Sequence, residues 1–462
     1  PHPTFPFLLL EQKQSHFAVE KKKNKAYSQF KQFPLTFPFP SLPVNIITFS
    51  PFHLTKPKPH PFHSTSFPSK KNQMANIPSE LLTDILSLLP VRSLLRFRLS
   101  SKSLRSLIDS HNFINLHLHN SFNFTLILRH NSDLYQLDFP TLATAVPLNH
   151  PLMCYSNRIT LFGSCNGILC ISNIADDIAF WNPNIRKHRI IPYLPISPRS
   201  ESDTSLFAAR VHGFGFDPFD CDYKLVRISY FVDLQQRTFD SQVRVFSSRT
   251  NSWKALPSMP YALCCARTMG VLVENSLHWI VTRKLEPFQP DLIVAFNLTL
   301  EIFEEVPLPE IEVANSESFE IDVAVLGGCL CMIVNYQASK VDVWVMRKYG
   351  SRDSWCKLFT LVESCFILPL KSLRPLGYSD YGSKVLLEVD RKKLFWYDFK
   401  TEQVVYAQGI PSLNEGMICV ESLVPPSLHM DNYRKENQHK LRCESISNRR
   451  DDFLSQGFKL TL

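Results

Sequence analysis

From residue 122 onward the chain repeats one kind of unit, and that repetition constrains the fold more than any other feature. The recurring pattern is an apolar strand with a second beside it, then a polar turn and a strand that ends in Ile-Pro or Leu-Pro at Ile191-Pro192 and Leu256-Pro257. One unit joins 162–170 to 179–183 and 191–192. A second joins 213–228 to 243–247 and 251–257. A third joins 276–280, 293–297 and 303–307. A fourth joins 326–330, 341–345 and 355–358, and a fifth joins 384–388, 394–398 and 403–406. Residues 124–142 read as a worn sixth. Spacings of about 40–55 residues fit propeller blades of three or four strands. One blade cannot bury both of its faces alone, so blades stacked around an axis are the stable solution. The expected fold for 122–424 is an all-β, propeller-like domain.

A different pattern precedes it. Glu80, Thr83, Asp84 and Ser87 lie at helical spacing, and Leu81, Leu82, Ile85, Leu86, Leu88 and Leu89 fill the opposite face. Pro78 suits a first helical position and Pro90 ends the helix. Leu94, Leu95 and Phe97 continue the apolar face on a second helix, and Leu104, Leu107 and Ile108 mark a third. Three helices this short cannot enclose so much apolar surface, so the surplus calls for a partner. The chain thus reads as α+β and multidomain, a small three-helix module followed by the β-domain.

The run through Ile77-Pro78, Glu80-Leu81-Leu82, Ile85-Leu86, Leu89-Pro90-Val91, 93–98, Lys102-Ser103 and 105–108 resembles the F-box. Leu104 departs from it, standing where a Trp is near-standard, and Leu99 stands where Cys is common. The resemblance, taken over 74–120, implies docking on a Skp1-like adaptor and, through it, a cullin. It implies Ile77, Pro78, Leu82, Ile85, Leu86, Leu89, Pro90, Leu94 and Leu95 as the adaptor-binding residues. The β-units resemble the F-box-associated and kelch-like repeats of plant F-box proteins. Gly163-Ser164-Cys165-Asn166-Gly167-Ile168-Leu169 and Ala179-Phe180-Trp181-Asn182-Pro183 carry that likeness, with a kelch-like doublet at Gly327-Gly328. In that family the β-domain binds the protein to be ubiquitinated. The implied function is the substrate-recognition subunit of a Skp1–cullin–F-box ubiquitin ligase, without catalysis or cofactor. The alternative is a kelch-type interaction scaffold without ligase function. Loops at 195–204 and 283–290 are the candidate substrate contacts. Trp181, Trp253, Trp279, Trp344, Trp355 and Trp396 are expected to pack between blades.

The first 73 residues look foreign to the rest. They hold 12 Pro and 11 Phe, with no Gly, Cys or Met. Ten lysines against two glutamates there supply the whole net charge of +8, because the remaining 40 basic and 40 acidic residues balance. Pro at this density opposes both helix and ladder. This Pro/Phe/Lys-rich extension reads as disordered, with Met74 as the expected native start, and its run Lys21-Lys22-Lys23-Asn24-Lys25 could address a nucleus or an anionic surface. The tail 425–462 is polar and expected to be disordered.

The balanced charge after 73 gives no case for nucleic-acid binding. No apolar run reaches membrane-spanning length, the longest being 323–334. The twelve Cys form no CxxC pair and several sit inside apolar runs, which points to a reducing setting, cytoplasmic or nuclear. No phosphate-binding, zincin, nucleophile-elbow or calcium-loop motif occurs. His111, His117, His119, His130, His150, His188 and His212 are scattered rather than spaced as metal ligands, and nothing specifies the ligand set of a propeller copper enzyme.

Overall fold

The computed structural model describes residues 78–426, except 153–157, 196–205, 234–237, 264–268, 284–290, 312–318, 337–339 and 363–369. The N-terminal extension, Ile77 and the tail from 427 lie outside the described residues. Among the described residues four helices come first: α1 (Ser79–Ser87), α2 (Val91–Ser100), α3 (Lys102–Ile108) and α4 (His111–Asn120). The fourth corrects the expected three. Its sequence, HNFINLHLHN, has a weak apolar stripe, and one face is completed by a buried histidine. His117 lies under Phe113, and its Nε2 meets the Leu89 carbonyl at 3.0 Å. Ser101 and Ser110 cap α3 and α4, their hydroxyls accepting from Leu104 N (3.1 Å) and Phe113 N (3.3 Å).

The strands form a six-bladed, all-β propeller. The first blade holds β1 (Phe124–His130), β2 (Asp133–Phe139) and β3 (Val146–Leu148). The second holds β4 (Ile159–Cys165), β5 (Ile168–Asn173), β6 (Ile178–Asn182) and β7 (Lys187–Ile191). The third holds β8 (Leu206–Asp217), β9 (Asp222–Asp233), β10 (Thr238–Ser247) and β11 (Ser252–Leu256). In the fourth, the first strand is in two pieces, β12 (Ala262–Leu263) and β13 (Val271–Val273), both paired with β14 (Ser276–Thr282), and β15 (Leu292–Asn297) and β16 (Phe303–Val306) follow. The fifth holds β17 (Glu320–Leu326), β18 (Cys329–Asn335), β19 (Lys340–Met346) and β20 (Trp355–Val362). The sixth holds β21 (Leu373–Tyr378), β22 (Lys384–Val389), β23 (Lys393–Asp398) and β24 (Gln403–Tyr406). Last comes β25 (Glu415–Val420), which returns to pair antiparallel with β1, Phe124 opposite Val420. The first blade is therefore built from both ends of the domain, and the worn sixth unit is whole once β25 is added. The first strands contact one another in a closed cycle, β25 to β4, then β8, β13, β17, β21 and back to β25.

Burial follows from this stacking. The second strands β5 and β14 are buried at every residue because both faces meet a neighbouring blade. The outer strands β7, β11 and β24 are largely exposed. That is why Cys170, Cys329, Cys331 and Cys419 occur in apolar runs: they are buried in the core. The hairpins between first and second strands of the second and fifth blades are two-residue turns. Asn166 and Gly167 (φ 52° and 79°) connect Cys165 to its partner Ile168, and Gly327 and Gly328 (φ 58° and 77°) connect Leu326 to Cys329. Positive φ at both central residues is the geometry whose twist matches the flanking strands. The strand-ending Pro of the repeat has a role too. Trp253 Nε1 donates to the Pro192 carbonyl of the preceding blade, and Trp355 Nε1 donates to that of Pro307, each at 2.8 Å. Trp181, Trp279 and Trp355 are buried, and Trp253, Trp344 and Trp396 are half-buried in the cores between blades.

Candidate functional site

The helical module has a small core. Leu86, Val91, Leu94, Ile108 and Phe113 are buried together, and Leu423, from the segment after β25, completes them. Leu82, Leu89, Leu95, Leu104 and Leu107 pack around it. Leu104, where the family pattern has Trp, thus still fills the module's own core.

This packing divides the residues named from the sequence. Leu86 and Leu94 are core residues, 3% and 0% exposed, and Leu82, Leu89 and Leu95 are half-buried against the same core. Pro78, Ile85 and Pro90 are exposed. Two apolar stripes run along α1 and the turn that follows it, one residue apart. Leu82, Leu86 and Leu89 face inward. Ile85 (54% exposed) and Leu88 (67%) are open to solvent, as are Leu81 and, on α2, Phe97 and Leu99. Leu88 was missing from the expected set. The signal was the doubling of leucines at helical spacing, which marks a helix packed on one flank and bare on the other. Arg98 ties the end of α2 to the end of α3 through a two-pronged pair with Asp109, at 2.5 and 2.8 Å. The Arg98 hydrogen bond holds the Asp109 carboxyl below its ordinary range.

In the propeller, buried charges bind blade to blade. Lys224 is 5% exposed, and its Nζ reaches Asp217 Oδ2 (3.0 Å), the Leu298 carbonyl (2.6 Å) and Glu301 Oε1 (3.3 Å). Glu301 also takes Lys254 at 2.6 Å, so the third and fourth blades share one ion network. Glu388, on β22, accepts from Arg374 Nη2 at 2.8 Å and from the Gly416 amide of β25 at 2.6 Å, while Arg374 also donates to the Gly416 carbonyl. His278 is wholly buried. Its Nδ1 lies 3.0 Å from the Val271 carbonyl, which makes it the protonated nitrogen, and Nε2 accepts from the Tyr349 hydroxyl at 2.8 Å. Burial lowers its pKa to about 4. These groups spend their hydrogen bonds on architecture. Among the described residues no cluster of three or more His, Cys, Asp or Glu could hold a metal ion, and no helix is long and apolar enough to cross a membrane. Of the suggested contact loops, 195–204 and 283–290, all but Pro195 and Arg283 lie outside the described residues.

The F-box domain model matches residues 74–116, and the model for the F-box associated beta propeller domain matches 122–415. The chain belongs to the F-box proteins that carry this propeller. F-box protein CPR1 of Arabidopsis thaliana is 36% identical to this F-box protein over 416 residues, covering 84% of this chain and all of CPR1. A second F-box protein of that plant is 30% identical, again over 84% of this chain and its own whole length. An F-box/kelch-repeat protein of Arabidopsis is 26% identical over 76% of this chain and 96% of its own. The family assignment makes the helical module of this F-box protein an F-box.

Proposed function

We propose that this F-box protein is the non-catalytic substrate-recognition subunit of a Skp1–cullin–F-box ubiquitin ligase. The F-box docks on a Skp1-like adaptor and, through it, the cullin, and the propeller holds the protein to be ubiquitinated. The observation that carries the reading is the outer stripe of α1 and the turn after it. Ile85 and Leu88 stay in water on a module whose core is otherwise closed, while Leu82, Leu86 and Leu89 are committed inward. Docking draws on the exposed part of the expected set, with Pro78, Ile85 and Pro90 joined by Leu88 and flanked by the half-buried Leu82, Leu89 and Leu95. Free thiols at Cys170, Cys331 and Cys419 fit a cytoplasmic or nuclear setting, where thiols stay reduced.

The test is adaptor affinity of the full chain carrying Ile85→Asp and Leu88→Asp. Burying one such side chain is worth about 1.5–3 kcal/mol, and a charge placed there also loses solvation without a partner. The pair should cost on the order of 4–6 kcal/mol, about a thousandfold or more in Skp1 affinity. Both side chains are exposed, so thermal melting should not move. Unchanged Skp1 affinity in the folded double variant overturns the docking face and favours the scaffold reading.

A further inference from the structure

Residues 421–424 form an extended segment between the F-box and the propeller, and its side chains alternate between them. Leu423 enters the F-box core, and the Glu421 carboxylate faces the Val91 amide at the N-terminus of α2. Ser422 and Val424 point the other way. Val424 is buried in the core shared by the second and third blades, where Ile114 and Leu118 of α4 also pack. Ser422 is fully buried, and its hydroxyl donates to the Asn166 carbonyl at 2.7 Å. Period-two alternation is what an extended chain gives when both faces are covered.

One side chain holds this segment at three points. Asn182 is 0% exposed, and the two hydrogens of its Nδ2 are shared among the Ser422 carbonyl (3.0 Å), the Ser422 hydroxyl (3.2 Å) and the Val424 carbonyl (2.9 Å). Its Oδ1 accepts from Asn184 N at 2.9 Å, which fixes the amide's orientation and shapes the turn that brings Ile185 against the F-box core. At the same hydroxyl, a Cβ at Gly167 would collide with Ser422 Oγ and the Val420 carbonyl, so only glycine allows the approach. Asn166-Gly167 and Asn182 come from the two sequence elements that carry the family likeness, and both meet on Ser422.

We infer that Asn182 is a positioning residue: by locking 421–424 it fixes the F-box on the propeller and so sets where the adaptor stands relative to the bound target. The functional consequence rests on the ligase reading above, but the joint itself is measured without it. Spin labels on unnatural amino acids at Lys102 of α3 and Lys393 of β23, both exposed, report the distance between module and ring in the full chain. The wild-type protein should give one narrow distance peak. Asn182→Ala should lose it for a broad distribution while Skp1 affinity is kept. A narrow peak at the wild-type distance, with or without a lower melting temperature, makes Asn182 merely structural and overturns the inference. If Asn182→Ala does not fold, Leu423→Ala opens the same joint from the F-box side with the propeller anchors intact. Broadening there supports the inference and a narrow peak overturns it. Absent Skp1 binding by the wild-type chain sinks the ligase reading alone.

Discussion

The F-box and the propeller solve the same burial problem with opposite results. In the propeller each blade covers the next and the sixth meets the first, so strands such as β5 and β14 are buried throughout. Of its exposed large apolar residues, Ile174, Phe219, Leu300 and Tyr381 lie on separate turns of different blades, and Val146, Ile190, Val362 and Val405 lie on strands of four different blades. The F-box has four short helices, borrows Leu423 for its core and still leaves Ile85, Leu88, Phe97 and Leu99 in water. A ring closes on itself at any blade number that fits, whereas about forty residues of helix have too little interior for their apolar surface. Scattered exposure is ordinary, but a clustered surplus marks a place where another protein belongs.

Ending the chain at Asn414 would test this contrast most severely. The truncation removes β25, leaves β1 without its inner partner, and takes Leu423 from the F-box. Loss of cooperative melting of the whole protein is expected, followed by circular dichroism. A truncated chain that melts like the wild type would show that the ring does not depend on closure.

Acid should discriminate next. His278 stays neutral in the folded ring with a pKa of about 4 against an ordinary 6.5. Between those values the unfolded chain binds the extra proton, so stability is intact above pH 6.5 and lost as pH falls toward 4. At about 1.4 kcal/mol per pH unit the loss is on the order of 3 kcal/mol. His278→Gln should flatten the fall of melting temperature over that window. His212, lowered by burial and by Arg210 and Arg227, leaves a residual slope. A variant with the full wild-type slope would place the acid sensitivity outside this site.

The smallest effect belongs to the F-box surface. Arg98→Ala breaks the pair with Asp109, whose side chains are 28% and 43% exposed, so solvent screens most of its worth. About 0.2–1 kcal/mol is expected in urea melts. A loss several times larger would show that the helices depend on this clasp rather than on Leu423.

Much of this was legible in the sequence. Unit spacing and the doubled turns at Asn166-Gly167 and Gly327-Gly328 announce blades because local chemistry sets hairpins. What was hidden depended on partners far along the chain. The six residues of β25 belong to none of the repeat units seen in the sequence, and only their pairing with β1 makes them the closure. The F-box run was plain as a motif, yet which leucines face inward depends on α4 and Leu423, and α4 hides behind a buried histidine. Asn182 was visible as part of a family signature, but its task needed Ser422, some 240 positions away, to be placed against it.

Closure by the last strand also has a consequence for biosynthesis. β1 is made nearly three hundred residues before β25. At about 5–20 residues per second, that is roughly 15–60 s during which the first blade lacks its innermost strand and the F-box core lacks its final leucine. For that interval the nascent chain presents an open sheet edge and apolar helix faces together, which makes it a client for chaperones until the final residues leave the ribosome and seal both at once.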